Sequence, residues 1–148
     1  MPTQEYARWA DVLQNEPEAV RLVEDMGLLS QIWDDLVDGD RVVPPQAVSK
    51  AFWLALVGIP ENHFFRRHRA MLQPLMRCYI TCWLDANELE RGTDHDRTVA
   101  FVLRDVLGDV IIQCAGLIGG YDYMRSVGPQ VRRMVHDETL GEYLEGLT

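Results

Sequence analysis

An all-α fold is predicted for this chain by three observations. Apolar residues recur at helical spacing in nearly every segment, no stretch alternates with period two for long enough to make a strand, and proline, glycine and aspartate fall at the intervals that start and stop helices. The length of 148 residues suits one helical domain, 1–148, built as a compact bundle of six to eight helices. Its natural internal division is an N-terminal helical subdomain, 1–43, with a linker at 38–46. An apolar share of 47% with 25% charged residues is that of an ordinary globular chain and excludes disorder, collagen-like repeats and a disulfide scaffold.

The elements follow in order. Tyr6, Trp9, Ala10 and Leu13 fall at i, i+3, i+4, i+7 behind Thr3, a capping residue. Pro17 suits the first position of a second helix, whose inner side is Val20, Val23 and Met26 until Gly27. Leu28/Leu29, Ile32/Trp33 and Leu36/Val37 make a third stripe, closed by the turn Asp38-Gly39-Asp40. Each proline of Val42-Val43-Pro44-Pro45 disfavours helix before it, and Pro45 opens a helix with Val48, Ala51/Phe52, Ala55/Leu56 and Ile59 as its inner side. A long helical pattern from Asn62 to Arg91 is broken or kinked at Pro74. Thr93-x-x-Asp96 has the form of a capping box for the next helix, which extends to about Gly116. These last two helices are apolar on most sides, so they are expected to form a central antiparallel hairpin. Gly108, Ile112, Ala115/Gly116 and Gly119 share a side on which another backbone can come close. A short helix near Tyr121–Ser126, a new start at Gly128-Pro129 and two amphipathic turns complete the chain.

Charge narrows the function. The net charge is −9, which disfavours a general nucleic-acid binder because phosphate affinity comes from basic side chains. The acidity is uneven: residues 1–50 carry 10 acidic and 4 basic groups, 51–83 carry 1 and 4, and 84–111 carry 7 and 3. Arg66, Arg67 and Arg69 beside Phe64-Phe65 form a basic patch, and Asp34, Asp35 and Asp38 gather at a helix C-terminus where the dipole disfavours them. Pairing between these groups, within one molecule or between subunits, is the first expectation. Cys78, Cys82 and Cys114 lie in apolar runs without C-x-x-C spacing and read as buried thiols of a reducing compartment. The N-terminus lacks the basic start and apolar run of a signal peptide, and Val99–Ile118 is interrupted by four polar residues, so a cytoplasmic protein without a membrane span is expected.

Two constellations bear on chemistry. His63 and His68, then His95-Asp96, then Asp137 follow the order H…HD…D in a helical chain. That order resembles HD-domain metal phosphohydrolases, and the resemblance implies a divalent metal that activates water. Asp85-x-x-Glu88 with Asp105 and Asp109 resembles helical nucleotide pyrophosphohydrolases of the MazG and dimeric dUTPase kind. In an antiparallel hairpin turning near residue 93, however, Glu88 and Asp109 stand about 15 Å apart along the axis, too far to share an ion. The same register puts Arg77 beside Asp109 as a structural ion pair.

Residues 83–90, WLDANELE, and 115–125, AGLIGGYDYMR, resemble small helical proteins encoded by bacteriophages or prophages. This resemblance implies an accessory or assembly protein that acts by binding, in the host cytoplasm or the virion. The sequence is therefore read as a non-enzymatic interaction protein, self-associating as a homo-oligomer or docking to a protein partner, with no cofactor. A divalent-metal phosphohydrolase is the alternative.

Overall fold

The computed structural model describes residues 8–147, so the expected cap at Thr3 and the start of the first stripe at Tyr6 lie outside the described residues. Every regular element among the described residues is helical. The chain divides between Arg69 and Ala70 into two units, each with its own core. The division falls 23 residues beyond the linker expected at 38–46. That proline segment is a surface turn, with Val42 97% exposed, but the helices on either side of it pack together. It therefore connects elements within one unit.

In the first unit, Arg8–Ala10 is helical and a turn follows, with Gln14 and Asn15 in the left-handed region. Helix α1, Pro17–Asp38, merges the second and third stripes expected from sequence: Gly27 does not break it. Proline at its first position lacks only an N–H that would be unpaired there, and Gly39 at φ 69 ends it by donating to the Asp35 carbonyl. Ala19, Val20, Leu22, Val23, Met26 and Ile32 form its buried face. Against α1 pack α2, Pro45–Trp53, a π-helical turn at Leu54–Gly58, and the short helices α3, Ile59–Glu61, and α4, His63–Arg67.

The link between α1 and α4 is Asn62, which is 5% exposed. Its Oδ1 accepts the Phe65 N–H at 2.9 Å, capping α4, and its Nδ2 donates to the Glu18 carbonyl at 2.9 Å. Asn62→Ala removes the cap and the long-range bond together and is expected to cost about 1–2 kcal/mol, read as a lower thermal midpoint with unchanged helicity at low temperature.

In the second unit, α5, Arg69–Leu89, runs through Pro74 without a break. The interruption expected at the proline falls instead at His68, between α4 and α5. The capping box at Thr93 is present: Asp96 N–H donates to Thr93 Oγ1, and Thr93 N–H donates to Asp96 Oδ2. It opens α6, Asp94–Leu103. After two turn residues comes α7, Val106–Val135, interrupted at Gly120 (φ 85, ψ −176), and then α8, Leu140–Gly146.

The interruption at Gly120 folds α7 into two limbs, 106–119 and 121–135, that lie against one another. Met124 occupies the space over Gly116, Ile112 reaches Gly128, and Val135 reaches Gly108. The glycine side read from sequence is therefore a seam between the limbs. Val110, Ile111, Cys114, Ala115 and Val131, all fully buried, are the core of this unit. The second limb continues through Pro129, whose ring meets no Cβ on Gly128 before it. The expected central hairpin differs: the outer side of α5 is in water, with Ile80 48% and Leu84 51% exposed, and α5 meets the α6 segment through the side chains of Arg97 and Arg104. The deepest burial in this unit is on the first limb of α7, where Val110, Ile111, Cys114 and Ala115 are all fully buried.

Candidate functional site

The residues of the metal reading stay apart in their roles. His63 begins α4, is exposed, and gives its backbone N–H to Glu18 Oε2. His68 follows α4 with its ring 4.6 Å from that of Phe64, and burial together with the neighbouring Arg67 holds its imidazole below the ordinary value. Both belong to the first unit. In the second, His95 is exposed in the first turn of α6, Asp96 is committed to the capping box, and Asp137 is exposed beyond α7. The hydrogen bonds from Thr93 keep the Asp96 carboxyl below the usual carboxylate range. Among the described residues no group of three or more His, Cys, Asp or Glu side chains is disposed to hold a metal ion. A divalent metal bound to the fold would raise the thermal midpoint by mass action. Mn²⁺, Fe²⁺, Mg²⁺ and EDTA are each expected to leave it unchanged; a shift of several degrees with one metal, reversed by EDTA, would contradict this geometry.

The carboxylates of α7 are held by arginine. Arg132 on the second limb donates from Nη1 to Asp105 Oδ2 at 2.6 Å and from Nη2 to Asp109 Oδ1 at 2.9 Å. This corrects the expected Arg77–Asp109 pair. Arg77 is exposed on α5, and Asp109 turns to an arginine that the fold-back at Gly120 brings across. Asp85 and Glu88 remain exposed on α5.

A second polar cluster escaped the sequence reading. Glu90 Oε1 accepts from Arg104 Nη2 at 2.5 Å and from the Tyr143 hydroxyl, while Arg104 Nη2 also donates to Asn87 Oδ1 at 2.7 Å. The Arg104 guanidinium lies over the Trp83 ring. Burial opposes the Arg104 charge, but the bonds to Glu90 and Tyr143 outweigh it and hold the guanidinium above its ordinary value. Burial, then the Glu90 carboxylate, pushes the Tyr143 phenol up to about 12. The cluster joins α5, α6 and α8, and every member has a partner within it. Its role is structural.

Of the cysteines, only Cys114 is deeply buried, and that burial pushes its thiol up to about 12. Cys78 is exposed, contrary to expectation. Between the limbs of α7 lies a cleft of ≈ 390 Å³, with Ile112, Met124 and Pro129 on its apolar side and Gln113, Arg125 and Arg132 on its polar side.

Arg66 and Arg67 are exposed and make no ion pair with the Asp34–Asp40 cluster among the described residues. Arg69 is exposed at the start of α5. Asp35 accepts from Gln31 Nε2 at 3.0 Å, Asp34 is half-buried, and Asp38 is exposed at the end of α1.

The largest departure is on α2. Phe52 and Leu56 were expected to face inward, yet α2 buries no residue. Phe52 is 64% exposed, Trp53 57% and Leu56 71%, while Leu54 and Ile59 are buried in their place. The reason is the π-helical turn. Pro60 has no N–H for the Leu56 carbonyl, and its ring would strike that carbonyl in a regular helix. The turn widens so that the Ile59 N–H bonds Leu54, five residues back. One extra residue rotates the inward face by about 100°, so the side begun by Phe52 continues outward at Leu56. The sequence signal was available in Gly58-x-Pro60, which marks irregular helix but not the direction of the rotation.

No described helix is long and apolar enough to cross a membrane. No family model, no curated protein and no solved structure matches the chain.

Proposed function

We propose that this chain is a non-enzymatic helical interaction protein whose recognition element is the outer face of α2 and its π-helical turn. The observation that carries the reading is the exposure of Phe52, Trp53 and Leu56 within five residues. Together they leave on the order of 300 Å² of apolar surface in water, the size of patch that marks contact sites on soluble proteins. Covering it contributes roughly 7 kcal/mol before the costs of association. Aromatic anchors of this kind concentrate the binding energy of protein interfaces. The exposed Arg66 and Arg67 supply charge for such a contact. The resemblance of residues 83–90 and 115–125 to small phage-encoded proteins supports a partner in the host or the virion.

The test is a photo-crosslinking residue at position 56 in the full chain. Its expected product is a covalent adduct with one discrete protein, whose purified form then binds the unmodified chain. Phe52→Ala, Trp53→Ala and Leu56→Ala combined are expected to weaken that binding by about 100-fold with unchanged circular dichroism, a loss typical of removing central anchors. Undiminished binding by the triple variant, or no discrete adduct, removes the reading.

A further inference from the structure

The outer face of α5 presents a second surface, in the other unit, and it is self-complementary. Ala70, Gln73, Arg77, Ile80, Thr81, Leu84, Asp85 and Glu88 fall on one side of this helix at 100° per residue, and all are exposed. The apolar groups, Ile80 and Leu84, stand at its middle with Thr81. The basic group, Arg77, lies toward the N-terminus and the acidic ones, Asp85 and Glu88, toward the C-terminus. Arg77 has no carboxylate within 4 Å among the described residues. Glu88 sits in the last turn of a helix that has no basic residue there, where the macrodipole disfavours an anion.

We propose that this face binds a second copy of the chain, antiparallel, about a two-fold axis that crosses α5 between Thr81 and Leu84. Inverting the face about that axis places Arg77 opposite Glu88 of the second copy, with Asp85 about one turn nearer the axis, and the symmetry makes the contact twice. Ile80, Thr81 and Leu84 then meet their counterparts at the axis, at the 8–10 Å separation of packed helices. A parallel arrangement would set Arg77 against Arg77 and the carboxylates against one another, so the charge order selects the antiparallel one. Four turns of helix bury on the order of 1,000 Å² over both copies, the lower edge of a specific interface. The charge contacts of the dimer are weakened by salt. It stands independently of the α2 reading, since the two surfaces share no residue.

The experiment is sedimentation equilibrium on the full chain. The wild type is expected to dimerise, whereas Arg77→Glu alone and the Asp85→Arg, Glu88→Arg pair alone are each expected to be monomers, weakened at least tenfold. Mixing these two variants is expected to restore a dimer, because the reversed charges then face each other at one contact and the native charges at the other. Misfolded variants would not recover on mixing, so the mixture separates lost charge complementarity from lost structure. A wild type that stays monomeric, an Arg77→Glu variant that still dimerises, or a mixture that remains monomeric overturns the proposal. So does a dimer abolished by the triple alanine variant of Phe52, Trp53 and Leu56, since self-association would then run through α2.

Discussion

Arg104→Ala should destabilise the second unit by about 2–4 kcal/mol, reaching below the roughly 3–5 kcal/mol of a fully buried ion pair cut on one side. The Arg104 and Glu90 side chains are 21% and 19% exposed, so water repays part of the loss of charge pairing. The substitution also removes the bond to Asn87 and the cation over Trp83. Trp83 is the sole tryptophan after residue 69, so its fluorescence in urea, with the other three replaced by phenylalanine, reads the unfolding of this unit. Replacing Arg104 by methionine together with Glu90→Gln should recover part of the stability, because no charge is then left buried without a partner. A loss below about 0.5 kcal/mol for Arg104→Ala, the size of an ordinary surface change, would show that the cluster does not hold the helices together.

The same cluster makes an alkaline limb. The Tyr143 phenol moves from an ordinary 10.0 to about 12 in the fold. Between these values the unfolded chain releases the proton first, so the stability from the neutral phenol is fully present below pH 10 and falls as pH rises toward 12. Tyr143→Phe removes the titrating group, and stability above pH 10 should then fall less steeply than in the wild type.

What the sequence reveals and what it hides follow the range of each interaction. Thr93 and Asp96 are three residues apart and satisfy each other's backbone, so their capping box is legible without any knowledge of the fold. Pro17, Gly39 and Pro45 act on their own backbone and mark their helix ends equally well. The polar stripe Arg77, Thr81, Asp85, Glu88 is also legible, because helical spacing alone puts it on one side, and the structure leaves that side in water. The partner of Asp109 is not legible: choosing between Arg77 and Arg132 requires knowing that α7 folds back at Gly120. Periodicity likewise continues one face from Phe52 to Ile59, and the single residue inserted by the π-helical turn is enough to send Phe52 and Leu56 to the surface. The exposed α2 face is therefore invisible to a reading that assumes regular helix throughout.

Substitutions at Gly119 and Gly120 should each destabilise the α7 hairpin by about 1–3 kcal/mol, through different physics. Gly120 has φ 85 and ψ −176, a region that is open only to glycine among L-residues, but a Cβ there would meet nothing within 4 Å. The whole cost is in the backbone. Gly120→Asn should thus fare no better than Gly120→Ala, since asparagine relieves the left-handed helical region and not this one. D-alanine, introduced by semisynthesis, should restore stability, because its mirrored preference includes this conformation. At Gly119 the cost is steric: a Cβ would lie 2.4 Å from Tyr123 Cδ1 and 2.9 Å from Tyr123 Cβ. Rotating the ring relieves the first contact but not the second, so the turn itself must open, and D-alanine offers no rescue there. Gly116→Ala should cost less than either, since the nearest atom is the flexible Met124 Sδ at 2.7 Å. Urea unfolding followed at Trp83 measures the order of these effects. A hairpin that accepted L-alanine at both 119 and 120 would have to turn elsewhere, and Arg132 would then lose its reach to Asp105 and Asp109.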